Sequence, residues 1–191
     1  SLPESFAIRQ TMLQRVFYTM DKRALRQKYK EIRKNVNNDG IAERFIASSL
    51  FSAAKSVMTY ISINNEPDTS PILLHSEKTL LVPVTYKESG IIKACVYGGE
   101  TVGGAYGIPQ PKELKLYPAE KIDVVTVPGI CYCTNGARLG YGGGYYDRFL
   151  RGFRGIKVGF CYEECLTAED FSEEHDIFVD YIITQERIIK I

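Results

Sequence analysis

Residues 138–150 read RLGYGGGYYDRFL and set an arginine, four clustered glycines, two adjacent tyrosines and an aspartate ahead of a short apolar helical stretch. Glycines this close together lose much backbone entropy on folding, so they stand where the chain takes φ > 0 or lies against a ligand. The N–H groups of Gly140, Gly142, Gly143 and Gly144, leading into a helix N-terminus, form a concave cradle suited to phosphate. Arg138 at the rim adds a forked donor for a phosphate oxygen. Asp147 places a negative charge beside that anion site, which makes chemical sense if Mg²⁺ bridges the two. The plainer alternative is a surface glycine loop with tyrosines packed nearby, but Arg, Gly, Tyr-Tyr and Asp together favour phosphate. No Gly-Lys-Ser/Thr follows the glycines, so this is not a Walker A loop. Nor does it follow the first strand with an acid about twenty residues on, as a dinucleotide fingerprint would.

Three further features carry chemistry. Lys22 and Arg26 are four residues apart on a predicted helix, so both can reach one polyphosphate, although an ordinary basic solvent face reads the same way. His175–Asp176, followed by Asp180, lies in an acidic run, and Asp176 with Asp147 could hold Mg²⁺ through carboxylates and water. Glu66, in Asn64–Asn65–Glu66–Pro67, ends a buried strand, where a carboxylate could accept from the donor edge of a heterocycle. A surface turn is the alternative there.

The elements that must position these residues alternate. Asp21 caps a basic amphipathic helix running from Lys22 to about residue 34, and periodicity predicts a second helix at 41–51. Strands are expected at 57–63, 80–84, 91–97, 122–127, 156–160, 181–184 and, at an edge, 187–191. A helix opens at Ser70–Pro71 and runs to about residue 77. Residues 98–107 are glycine-rich and read as a loop, and Pro109–Gln110–Pro111 excludes regular helix. A helix follows the glycine loop from near Tyr145. The expected fold is a single α/β domain, residues 20–191, with an open, largely parallel sheet flanked by helices on both faces. Residues 1–19 read as an extension or cloning remnant. In such sheets ligands sit beyond the carboxyl ends of the strands, where the glycine loop falls.

At 191 residues, 45% hydrophobic and 25% charged, the chain suits one soluble globular domain. Residues 1–36 hold nine Lys and Arg against three Asp and Glu, while 161–180 hold eight acids and no Lys or Arg. That asymmetry fits a phosphate-binding end meeting a metal-binding end, or a nucleic-acid arm with a solvating tail, or two solvated faces. Five cysteines without a secretory pattern point to reduced thiols. Cys131, Cys133, Cys161 and Cys165 lack the spacing of a zinc ribbon. No apolar run is long enough for a membrane span, so a cytoplasmic monomer without membrane contact is expected. The near-neutral balance argues against nucleic acid, since the basic excess is confined to one helix. A sugar-phosphate isomerase or acyl-transferase on a similar sheet is the other rival.

Taken together, these residues resemble the 5-formyltetrahydrofolate cyclo-ligase family over Met20 to Ile191. The loop RLGYGGGYYDRFL is the most specific match, joined by Lys-Arg-x-Leu-Arg, Asn65–Glu66–Pro67, Gly107–Ile108–Pro109–Gln110–Pro111 and His175–Asp176 in the expected order. The resemblance implies an ATP-dependent, Mg²⁺-requiring conversion of 5-formyltetrahydrofolate to 5,10-methenyltetrahydrofolate, releasing ADP and phosphate. It implies that Lys22, Arg23 and Arg26 bind ATP phosphates together with Arg138, Leu139, Gly140, Tyr141, Gly142, Gly143, Gly144, Tyr145 and Tyr146. Ile61 and Glu66 would meet the folate, with Tyr141 and Tyr145 bordering its formyl group. Asp147 and Asp176 would hold Mg²⁺, and Arg138, Tyr145 and Asp147 would stand at the reacting atoms. Gly143 replaces a lysine of some relatives, Cys165 a frequent glutamine and Phe171 a frequent proline, so contacts from residues 161–174 are not carried over.

Overall fold

The computed structural model describes residues 21–36 and 40–191, so the expected extension at residues 1–19 lies outside the described residues. Helix α1 (Lys22–Arg33) starts where the Asp21 carboxylate accepts from the Arg23 N–H, and Lys30 and Arg33 in its last turn suit the helix dipole. Leu25, Tyr29 and Arg33, spaced by four, form its buried stripe. The helix expected at 41–51 is two short ones, α2 (Ile41–Ile46) and α3 (Ser49–Ala53). Ser48 divides them: it is extended, its hydroxyl donates to Phe45 O at 2.6 Å, and it caps α3.

Strand β1 (Ser56–Met58) leads to β2 (Thr79–Tyr86) and β3 (Ile91–Val96). It is shorter than expected. Thr59 donates its N–H to Leu81 O and shares a hydroxyl bond of 2.7 Å with Thr126, after which the chain leaves the ladder to form the site. The helix expected at 70–77 is a single 3₁₀ turn, Ile72–Leu74. Ile72 is buried but Leu74 is 83% exposed, so no second turn has an apolar face to bury. Pro83 interrupts nothing on the β1 side, because β1 pairs with β2 only as far as Leu81.

The stretch expected as a loop is a hairpin, β4 (Thr101–Gly103) with β5 (Pro109–Pro111), around a 3₁₀ turn at Ala105–Gly107. Strand β6 (Val124–Val127) is buried throughout. A small sheet of β7 (Cys131–Cys133), β8 (Arg138–Leu139) and β10 (Leu166–Thr167), unforeseen in the sequence, carries the start of the glycine loop. Helix α4 (Tyr145–Leu150) follows that loop, then β9 (Ile156–Phe160), β11 (Tyr181–Ile183) and β12 (Ile188–Lys190).

The main sheet runs β12-β11-β9-β6-β1-β2-β3. The five strands from β11 to β2 are parallel, and β12 and β3 close the two edges antiparallel. This is the open, largely parallel α/β sheet expected from the alternation of elements. Phe45, Met58, Leu81 and Phe160 are among the fully buried core side chains. All five cysteines are free and buried. Among the described residues, no helix is long and apolar enough to cross a membrane.

Candidate active site

From β1 the chain moves outward to β2 and β3, and then returns to β6 on the other side of β1. This reversal splays the connections leaving the carboxyl ends of β1 and β6 and opens a crevice between them. Tyr60 and Ile61, just after β1, and Pro128, just after β6, line a cleft of about 430 Å³ there. The glycine loop and the β4–β5 hairpin complete its walls.

The turn after β1 aims a carboxylate inward. Asn64 and Asn65 take φ of 50° and 58°, and the Glu66 N–H bonds Ile63 O at 2.9 Å. Asparagine tolerates that left-handed region better than other non-glycine residues. Glu66 is 8% exposed, and its Oε2 accepts from the Ile63 N–H at 3.0 Å. Burial raises its pKa, opposed by that N–H, by the Tyr141 hydroxyl and by the charge of Arg33.

Gly142 (φ 97°) and Gly144 (φ 67°) turn the loop into α4, and no side chain caps this helix. A Cβ at Gly140 would stand 2.5 Å from Arg138 Nη1, so a side chain there would collide with the guanidinium. Arg138 lies beneath the loop rather than at its rim, with its side chain 6% exposed. Nη1 donates to Pro128 O at 3.1 Å and Nη2 to Asp147 Oδ1 at 2.6 Å. Arg138 Nε and the Tyr146 hydroxyl are buried and have no hydrogen-bond partner among the described residues. Buried polar atoms without a partner are few in native proteins, and Arg44 Nε and Glu163 Oε2, outside the cleft, are two more here. Across the mouth, the Tyr145 hydroxyl meets that of Tyr106 at 2.9 Å, which raises the Tyr145 pKa. Arg148 braces the loop by donating to Gly143 O and Gly90 O.

Helix α1 is fastened to the loop. Arg26 Nε donates to Gly140 O at 2.8 Å, and Arg33 Nη1 donates to the Tyr141 hydroxyl at 3.1 Å. At its N-terminus Lys22 pairs with Asp176 at 2.9 Å and with Glu173 at 3.1 Å. The basic and acidic ends of the chain therefore meet. Lys22 and Asp176, expected on phosphate and metal respectively, are bonded to each other.

Of the residues singled out from the sequence, Ile61, Glu66, Arg138, Gly140, Tyr141, Gly142, Gly143, Gly144, Tyr145, Tyr146 and Asp147 all line the cleft. Lys22, Arg23, Arg26, Leu139 and Asp176 do not. Arg23 is exposed, and Leu139 is buried in the core, so only its backbone can serve a ligand. Asp147 offers a half-exposed carboxylate beside the cradle. Asp176 belongs instead to the group Glu173, His175 and Asp176, whose ligand atoms lie within 4.8 Å of one another. The sequence reading missed Tyr60, Tyr106, Arg33 and Arg148. Arg33 was detectable, because it lies seven residues beyond Arg26 and so on the same helix face.

Known proteins resemble this chain along most of its length. The model of the 5-formyltetrahydrofolate cyclo-ligase family matches residues 4–185. The Escherichia coli K12 5-formyltetrahydrofolate cyclo-ligase is 30% identical over 146 residues, 71% of this chain and 80% of that protein. The Mycolicibacterium smegmatis enzyme of the same name is 29% identical over 153 residues, 73% of this chain and 78% of that one. The NMR structure of Aquifex aeolicus 5,10-methenyltetrahydrofolate synthetase superposes with a TM-score of 0.79 at 29% identity, covering 90% of this chain and 93% of that chain. The same enzyme from Mycoplasma pneumoniae, 21% identical with a TM-score of 0.71, shares the fold. A match along nearly the whole length, on a chain with this sheet and this loop, leaves one conclusion: the protein belongs to the 5-formyltetrahydrofolate cyclo-ligase family.

Proposed function

We propose that the protein converts 5-formyltetrahydrofolate and ATP to 5,10-methenyltetrahydrofolate, ADP and phosphate. The observation that carries this reading is the continuity of one cleft, with a buried carboxylate, Glu66, on one side and a glycine cradle from Gly140 to Gly144 on the other. A heterocycle with donor N–H groups suits Glu66 and the phenol walls. A polyphosphate suits the cradle, with Arg26, Lys22 and Arg23 along α1.

A formamide oxygen leaves poorly, and the N10 amine does not expel it unaided. The formyl oxygen attacks the γ-phosphorus of ATP, and the bond from that phosphorus to the β–γ bridging oxygen breaks to release ADP. The N10 lone pair then attacks the formyl carbon, the C–O bond breaks with loss of phosphate, and N10 gives up its proton. This chemistry needs positioning and charge neutralisation rather than a protein nucleophile. Arg138, seated under the loop, and the loop N–H groups supply fixed positive potential. Tyr145 stands at the mouth beside the formyl group, and Asp147 beside the transferring phosphate. Asp147 fits Mg²⁺ as a hard oxygen donor beside a phosphate site, and the ion would neutralise phosphate charge, whereas Asp176 lies outside the cleft and is paired with Lys22. We read the enzyme as a cytoplasmic monomer.

The test is absorbance detection of methenyltetrahydrofolate from 5-formyltetrahydrofolate, with and without ATP. Formation that depends on ATP is expected, and no product with ATP and Mg²⁺ present overturns the reading. Thermal stabilisation by a sugar phosphate or by single-stranded RNA, but not by ATP, would favour a rival.

A further inference from the structure

Arg33 lies at the join between the two halves of the site. It is 3% exposed, in the last turn of α1. Its Nε donates to Asn65 O at 3.1 Å and its Nη2 to Asn64 O at 3.5 Å, while Nη1 holds the Tyr141 hydroxyl. The two carbonyls belong to the turn whose left-handed residues present Glu66. Tyr141 follows Gly140, whose carbonyl accepts from Arg26. An apolar side chain is the ordinary choice on the buried stripe of a helix. A guanidinium there is tolerated only while its acceptors stay in place, so it fixes the distance between turn and loop.

We propose that Arg33 is a positioning residue for the folate half of the reaction: it locks residues 63–66 to Tyr141 and keeps the Glu66 side chain aimed into the cleft. This rests on the function proposed above. The titratable and charged groups that act on Glu66 come from every neighbouring element. They are Arg33 from α1, Tyr60 after β1, Tyr141 from the loop, Tyr146 from α4 and Tyr162 after β9. Four are phenols, which carry no charge near neutral pH, and Arg33 is the cation of the set. Burial pushes the Glu66 carboxyl toward its neutral form and Arg33 opposes that. Without the guanidinium the carboxyl titrates at higher pH, so the acidic limb of kcat/KM for 5-formyltetrahydrofolate moves upward.

The experiment measures steady-state kinetics and melting temperature of the whole chain as wild type, Arg33→Met, Arg33→Lys and Tyr141→Phe. Arg33→Met is expected to raise the KM for 5-formyltetrahydrofolate roughly tenfold or more, with a much smaller change for ATP, and to shift the acidic limb upward. Arg33→Lys keeps the charge and should restore the limb, but it loses the fork and recovers KM only in part. A merely structural role would lower melting temperature and active fraction without separating the two KM values or moving the limb. A folded Arg33→Met with wild-type folate KM and pH profile overturns the proposal. If Arg33→Met does not fold, wild-type folate KM in both Arg33→Lys and Tyr141→Phe overturns it. Wild-type protein that makes no methenyl product removes the underlying activity and this proposal together.

Discussion

Arg138 donates to Asp147 at 2.6 Å beneath the glycine loop, and Pro128 O takes a second arm of the same guanidinium. Arg138→Ala removes the phosphate partner proposed above and leaves both acceptors without their donor. ATP affinity should fall by roughly 1.5–3 kcal/mol in calorimetry, with a lower melting temperature, and Arg138→Lys should recover only part. Unchanged ATP affinity in the alanine variant would take Arg138 out of the site. Asp147→Asn keeps the size and one carbonyl oxygen but removes the charge. The fold should survive while the Mg²⁺ concentration for half-maximal turnover rises, and extra Mg²⁺ should restore part of the rate. A wild-type Mg²⁺ titration curve would return Asp147 to the role of Arg138's counter-ion. Both residues were legible in the sequence as chemistry-bearing types. Their pairing was not, because spacing gives the face of an element but not where a long side chain ends.

Among the elements, the glycine loop depends most on backbone conformation. Gly144 sits at φ 67° where α4 begins, and an added Cβ would also stand 2.7 Å from Arg148 Nη1. Gly152, just past α4 at φ 81°, has nothing within 4 Å of such a Cβ. Alanine at either position takes on a left-handed conformation costing about 1–2 kcal/mol. Both variants should melt lower, at roughly 2–4 °C per kcal/mol. Only Gly144→Ala should also weaken ATP binding, and equal ATP affinities in the two would mean that the loop conformation does not matter to the nucleotide. The α1 cap, β2, β6 and β9 were readable because an N-cap or an apolar run marks each, and α4 because the glycine cluster ends at Gly144. The β4–β5 hairpin was not: its strands have three residues each, and one is bounded by two prolines. The helix expected at 41–51 failed at Ser48, where a hydroxyl competes for backbone groups in a way periodicity does not register.

At the scale of the molecule, burial sets the alkaline limit of stability. It pushes the Cys161 and Cys131 thiols upward and that of Cys165 to about 12, and raises the phenols of Tyr60 and Tyr132 well above their usual value. In the unfolded chain thiols titrate near 9 and phenols near 10. Above those values the unfolded state has lost protons that the folded state keeps, so stability is full below them and falls as pH rises toward the folded values. Melting temperature should hold to about pH 9 and then decline steadily; a flat profile to about pH 11 would contradict the burial of these groups. The charge asymmetry of the chain has its explanation at this scale too. Lys22 and Asp176 are 154 residues apart in sequence and in contact in space.

The cleft has one more property, which is optical. The chain has thirteen tyrosines and no tryptophan, and Tyr60, Tyr106, Tyr141, Tyr145 and Tyr146 all face the same cavity. Its ultraviolet emission therefore arises from phenol rings, and a large share of the emitters surround the place where an absorbing heterocycle would sit. Titration with 5-formyltetrahydrofolate should quench that emission saturably without any label. Tyr106→Phe and Tyr145→Phe each keep a ring but remove an emitter from the cleft, so the amplitude of the quench should fall while it stays saturable. A titration with no saturable change would mean that the folate does not enter this cleft. The protein carries its own probe of occupancy.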